Sequence, residues 1–261
     1  METTKKTLRA SLVPAAIGVD KTRSRHSVYM QIAHGVEPEV SSYLESLWAY
    51  GKTMEARAVA YTEAVTGHLF LHTGENQKSG LRGRLTGTPD GINLDCTLEV
   101  KSRKPGELAY CVGDKNWEKH MAQVQTVLHV WERDYAIFTC FCLSGESRIW
   151  KVYRTDEYQK KLHELIDEFL GFVDGDAPCP VKLKSRPKMP AVECELLDGP
   201  HETVDVTPDL VSSLVFEAAK EVDTMQGLDE LEEKFLRDYP SYGESIAKGT
   251  EQQRQQLEDA A

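Results

Sequence analysis

Asp90, Glu99 and Lys101 are the residues whose types and spacing point most directly to chemistry. They stand in Thr88-Pro89-Asp90-Gly91 and Leu98-Glu99-Val100-Lys101. On a strand, residues two apart share a face, so Glu99 and Lys101 project together while Leu98 and Val100 turn to the core. Asp90 sits at a turn just before this strand, and a hairpin of that size brings its carboxylate back beside Glu99. Two carboxylates and a backbone carbonyl, for which Val100 is the natural donor, suit a hard cation such as Mg²⁺ or Mn²⁺. A lysine beside the attacking water can orient it, help it lose a proton, or offset charge on a phosphorane-like transition state. Glu55, upstream on a helix, is the candidate for completing the metal site. Metal-assisted phosphodiester hydrolysis needs this set. By themselves the three residues would equally make a surface salt bridge on an edge strand, and it is their ordered context that favours a site.

Several elements must position them. Residues 37–50 and 52–66 read as two helices; in the second, Met54, Ala58, Tyr61 and Val65 recur at helical spacing and Gly67 is a stop. A short strand is expected over 68–72. Two more, 81–88 and 94–102, flank the turn residues 89–93. A helix over 116–132 carries Met121, Val124, Leu128 and Trp131 on one face. Strands over 135–143 and 148–153 follow, then an amphipathic helix over 156–173. The expected fold is α/β (α+β): a small mixed central sheet flanked by helices over residues 1–175. A Pro-rich linker is expected over 176–190. An acidic, mostly helical extension, with helices over 208–222 and 228–237, is expected within 191–261.

Four motifs occur in order: Gly51-x-x-x-Glu55, Thr88-Pro89-Asp90-Gly91, Leu98-Glu99-Val100-Lys101 and Met121-Ala122-Gln123-Val124-Gln125. Over roughly residues 9–155 the chain thereby resembles the lambda-type exonucleases, or YqaJ-type viral recombinases, of the PD-(D/E)xK nuclease superfamily. The resemblance implies a restriction-endonuclease-like core and a Mg²⁺-dependent exonuclease acting 5′-to-3′ on ends of linear double-stranded DNA. The 3′ single strand left behind would serve phage-type recombination. It also implies a ring-shaped homo-oligomer, a trimer, and a single-strand annealing protein as partner. Asp90, Glu99, the Val100 carbonyl and Glu55 would hold metal, Lys101 would serve the water, and Gln123 would hydrogen-bond near Lys101. Gln125 points to another face and is expected to be structural. Arg9 fits the family's 5′-phosphate-gripping arginine. Ala16 stands where the family has a serine, and Thr88 keeps a hydroxyl before the Pro-Asp. Arg82, Arg84, Arg103 and Lys104, with Lys78, Lys115 and Lys119, cluster in sequence around the site and would neutralise backbone phosphates.

The overall charge at first argues against a polyanionic partner. The 261 residues carry 31 Lys+Arg and 42 Asp+Glu, a net −11. Yet residues 1–155 carry a balance of +3 and residues 156–261 one of −14, so the acidity belongs to the C-terminal part. No apolar stretch is long enough for a membrane helix and none reads as a secretory signal, which suggests an intracellular, cytoplasmic protein. Six scattered cysteines fit reduced thiols. Their positions do not match an iron–sulfur cluster, the histidines lack zinc spacing, and no Walker-type loop for ATP is present. Rival readings remain: a PD-(D/E)xK endonuclease or nickase, a non-catalytic DNA-end binder, and an inhibitor whose acidic surface imitates DNA.

Overall fold

The computed structural model describes residues 6–72, 78–80, 83–103, 114–142, 147–175 and 177–197. The expected helices over 208–222 and 228–237, and residues Arg82 and Lys104, lie outside them. The chain opens with strand β1 (Leu8–Arg9), a single 3₁₀ turn, and helices α1 (Val13–Ala16) and α2 (Arg25–His34). Helix α3 (Ser42–Thr66) then leads to the short strands β2 (Leu71–His72), β3 (Lys78–Gly80), β4 (Leu85–Gly87) and β5 (Gly91–Ile92). Strand β6 (Cys96–Arg103), helix α4 (Asp114–Trp131) and strand β7 (Tyr135–Cys142) form a parallel crossover. Strand β8 (Arg148–Tyr153), helix α5 (Asp156–Asp174) and strand β9 (Cys194–Leu197) complete the order. The main sheet runs β2-β5-β6-β7-β8-β9, with β6 and β7 as its parallel pair; a second sheet runs β1-β4-β3.

The central strand β6 is sandwiched. Leu98 and Val100 pack with Ala58 and Val59 of α3, while Met121, Val124 and Leu128 of α4 pack with Ala136, Phe138 and Cys140 of β7 on the other face. A hydrogen bond of 2.8 Å between the Thr62 and Thr139 hydroxyls ties α3 to β7. Helix α5 lays its stripe, from Leu162 to Leu170, against α1, α2 and α4. The buried Arg25 guanidinium links these layers: its Nε donates to the Ala16 carbonyl at 2.6 Å and its Nη1 to Glu168 at 2.8 Å.

Several expectations differ from the observed elements. The two helices expected over 37–50 and 52–66 are one, starting at the N-cap Ser41 and running through Gly51. A single glycine weakens a helix by about 1 kcal/mol but does not by itself end one. Helix α2 has no apolar stripe to betray it and is defined by its ends, the Ser24 cap and Gly35 at φ +69°. The expected turn at 89–93 lies elsewhere: β5 pairs with β6 around Asn93, Leu94 and Asp95, and Pro89-Asp90 joins two different sheets. Residues 194–197, assigned from composition to the helical extension, form strand β9 on the edge of the main sheet. The stretch before them packs on the domain as well: Met189 and Val192 sit against the core. Against the expectation of six reduced thiols, Cys140 is disulfide-bonded; Cys96, Cys142, Cys179 and Cys194 are free. Among the described residues no helix is long and apolar enough to cross a membrane.

Candidate active site

The β5–β6 pairing builds the site. It sets Gly91 opposite Leu98, and the Asp90 amide donates to the Leu98 carbonyl at 2.9 Å. This carries the Asp90 side chain along β6, where its Oδ2 accepts from the Val100 amide at 2.6 Å. Gly91 is required for the approach: a Cβ there would lie 2.9 Å from the Phe70 Cβ and 3.3 Å from the Leu98 Cβ. Asp90 is thus brought beside Glu99 as the sequence suggests, by strand pairing and not by a turn at 89–93.

Glu99 is 3% exposed, on the face of β6 covered by α4. Its Oε1 accepts from the Lys101 ammonium and, at 2.6 Å, from the Gln123 side-chain amide of α4. Its Oε2 is buried with no hydrogen-bond partner. Burial pushes the Glu99 carboxyl up, Lys101 pulls it down, and the Asp90 and Glu55 charges raise it again, for a value of about 7. Lys101 is held above its ordinary value: burial alone would lower it, and the Glu99 and Asp90 carboxylates outweigh burial. Glu55 comes from α3, which packs against β6.

Two further carboxylates, Asp90 and Glu55, therefore act on Glu99, and Lys101 feels both Glu99 and Asp90. The Glu99 oxygen left without a hydrogen-bond partner is costly to bury in low dielectric. A divalent cation is the natural remedy, and hard oxygen donors are what Mg²⁺ or Mn²⁺ takes. Among the described residues no three His, Cys, Asp or Glu side chains already converge on one point. Water and backbone oxygens would have to complete a coordination shell, as is usual for Mg²⁺. The Val100 amide is spent on Asp90, and its apolar side chain is in the core; only its carbonyl is a candidate ligand.

The remaining predicted site residues divide. Arg9 is exposed, and its Cα registers with Thr86 in the β1–β4 pair, two residues from the exposed Thr88 and four from Asp90. Ala16 is fully buried, so this position faces the core. Arg103 ends β6, and its charge opposes that of Lys101. Arg84 grips Asp174 through two bonds of 2.9 Å and donates to the Lys6 carbonyl. Gln125 is buried between Tyr153 and Gln159, a structural role as its helical position suggests. Trp117 packs edge-on against Phe138 and Trp150. His120, which zinc spacing alone could not place, stacks on Phe138 one turn before Gln123. Burial, then the charges of Lys101, Arg103 and Lys119, hold it well below the usual histidine range, so it is a neutral neighbour of the site. The signal for it was the three-residue spacing to Gln123, which puts both on one helix face.

No protein-family model and no curated protein matches the chain. Solved structures do. An alkaline exonuclease, LHK-Exo, from Laribacter hongkongensis matches with a TM-score of 0.52 at 16% identity, over 66% of this chain and 90% of that one. The same enzyme in complex with dAMP matches equally. A phage-related exonuclease from Haemophilus somnus 129PT matches with a TM-score of 0.50 at 12% identity, covering 65% and 94%. The chain has the fold of these exonuclease structures, in agreement with the PD-(D/E)xK core that the four ordered motifs suggest.

Proposed function

We propose that this chain is a Mg²⁺-dependent exonuclease acting on ends of linear double-stranded DNA. The observation that carries the reading is Glu99: a buried carboxylate with one unpartnered oxygen, held between Lys101 and Gln123 and flanked by Asp90 and Glu55. A purely structural salt bridge gains nothing from a buried carboxylate oxygen left without a donor. The likeness to exonuclease structures, one of them crystallised with the nucleotide monophosphate dAMP, supports the choice of a nuclease on this fold.

Asp90, Glu99 and Glu55, with the Val100 carbonyl, would hold the ion. When bound, Mg²⁺ would neutralise phosphate charge and favour ionisation of the attacking water. The protein's own part is positional. The Val100 amide fixes Asp90, and Gln123 fixes the Glu99 carboxylate through Oε1. The Lys101 ammonium, anchored on Glu99, stays charged, and so can orient the water and offset charge developing on the phosphate oxygens. Arg9 and Thr88, on adjoining segments, would receive the 5′-phosphate, since a guanidinium and a hydroxyl both donate to phosphate oxygens. The 5′-to-3′ polarity, the ring-shaped trimer and the annealing-protein partner belong to the same proposal and rest on the family resemblance.

The test is hydrolysis of end-labelled linear duplex by Glu99→Gln and Lys101→Ala. Both should lose hydrolysis while unfolding at the wild-type temperature. Near-wild-type rates would show that the site is elsewhere. Arg9→Ala should lose rate selectively on 5′-phosphorylated ends; equal loss on 5′-hydroxyl ends would remove Arg9 from the site.

A further inference from the structure

A groove of about 590 Å³ lies apart from the carboxylate cluster, between residues 18–25 and the stretch 181–186 that follows α5. Six cationic side chains line it: Lys21, Arg23, Arg25, Lys182, Lys184 and Arg186. The one acid among the described lining residues, Asp20, pairs with Lys119 at 2.9 Å and accepts hydrogen bonds from Thr22. Arg25 is spent on Ala16 and Glu168, and Arg23 reaches Gln31. Lys21, Lys182, Lys184 and Arg186 are exposed and form no ion pair among the described residues. The stretch is anchored by Leu183, whose Cδ1 fills the place a Cβ on Gly18 would take; that glycine, at φ +90°, leaves the notch. Three of the four unpaired cations thus alternate with residues of an anchored segment.

Unpaired like charges held together repel, and a polyanion opposite them would relieve that repulsion. Two features identify which. One helix serves both groove and catalytic centre: the Lys119 that pairs with Asp20 sits on α4 one turn before Gln123, which bonds Glu99. Among the described residues its lining contains no aromatic side chain. Single strands are gripped largely by stacking bases on aromatic rings, whereas a duplex backbone needs only cations and hydroxyls. We infer that this groove binds the phosphate backbone of the duplex outside the cleavage centre, without reading sequence. The inference rests on the nuclease reading for the identity of the duplex, but its test does not.

The full-length chain and the triple variant Lys182→Gln/Lys184→Gln/Arg186→Gln would be titrated with a short fluorescent blunt duplex in EDTA, across a salt series. Each lost phosphate contact should flatten the log–log salt dependence by about 0.9, so the triple variant should lose roughly 2–3 in slope and about tenfold or more in affinity. The charge-conserving Lys182→Arg/Lys184→Arg/Arg186→Lys should keep both. Unchanged slope and affinity in the Gln variant would overturn the inference. So would loss of polyglutamate binding with duplex binding intact, which would mark an acidic-peptide site. Mg²⁺-dependent hydrolysis by the wild type is scored separately. Hydrolysis with an unchanged slope removes only the groove, and a lost slope without hydrolysis removes only the nuclease reading.

Discussion

Gln123 offers the sharpest single perturbation of the site. Its amide donates to Glu99 Oε1 at 2.6 Å, sharing that oxygen with Lys101 and leaving the other oxygen unpartnered. A hydrogen bond to a buried charged group is worth about 1.5–3 kcal/mol. If that interaction positions Glu99 for catalysis, losing it should slow hydrolysis by about 10- to 100-fold, since 1.36 kcal/mol is tenfold in rate. Gln123→Met keeps the volume and removes only the donor. Single-turnover cleavage of end-labelled duplex over a Mg²⁺ series gives the rate, and a thermal melt reports whether folding has changed. A second readout separates positioning from packing. Glu99 titrates near 7 without metal; losing a donor to its ionised form raises that value further. At limiting Mg²⁺ the acid limb of the pH–rate profile should therefore move to higher pH in Gln123→Met. A variant within about twofold of wild type in rate, with an unmoved acid limb, would refute this account of Gln123.

Asp90→Asn retains an acceptor for the Val100 amide but not the charge. It should melt like wild type yet hydrolyse no DNA, whereas retained hydrolysis would reduce Asp90 to a structural hydrogen-bond acceptor. Gly91→Ala places a methyl group against Phe70 and Leu98 and should destabilise the fold by about 1–3 kcal/mol in chemical denaturation; an unchanged midpoint would mean that the hairpin yields cheaply. His129 and His163 face each other with ring centroids 4.1 Å apart, and burial lowers both, His129 to about 4. Below the ordinary histidine value the unfolded chain takes up protons that the folded pair resists, so the pair's contribution is present above about 6.5 and is lost as pH falls toward 4. His163→Gln should flatten the decline in melting temperature over that range; a decline parallel to wild type would show the pair to be irrelevant.

Much of this was legible in the sequence, for reasons that differ by element. The alternation Leu98-Glu99-Val100-Lys101 fixes which side chains face α4 and which face α3, because a strand has only two faces. Helices α4 and α5 carry strong apolar stripes and end close to their expected bounds. Helix α2 has none, and β9 is a four-residue edge strand whose exposed residues show no alternation. The hairpin turn was misplaced because Pro-Asp-Gly is turn chemistry wherever it occurs. Here its glycine serves close packing on Phe70 and the turn falls at Asn93, whose side chain accepts from the Asp95 and Cys96 amides. The proposed phosphate contacts were the least legible. Nearness in sequence suggested Arg84, which the fold spends on Asp174, while the unpaired cations come from residues 21 and 182–186, far apart in the chain. Pairing partners across that distance leave no local pattern.

The central claim is that the Asp90–Glu99–Lys101 cluster hydrolyses phosphodiesters from DNA ends with Mg²⁺. Purified full-length protein would be given linear and covalently closed duplex, each with Mg²⁺ and with EDTA. The account predicts that only the linear form is degraded, only with Mg²⁺, and not at all by Lys101→Ala. Cutting of the closed circle as fast as the linear form, or no hydrolysis of either with Mg²⁺ or Mn²⁺, would contradict it.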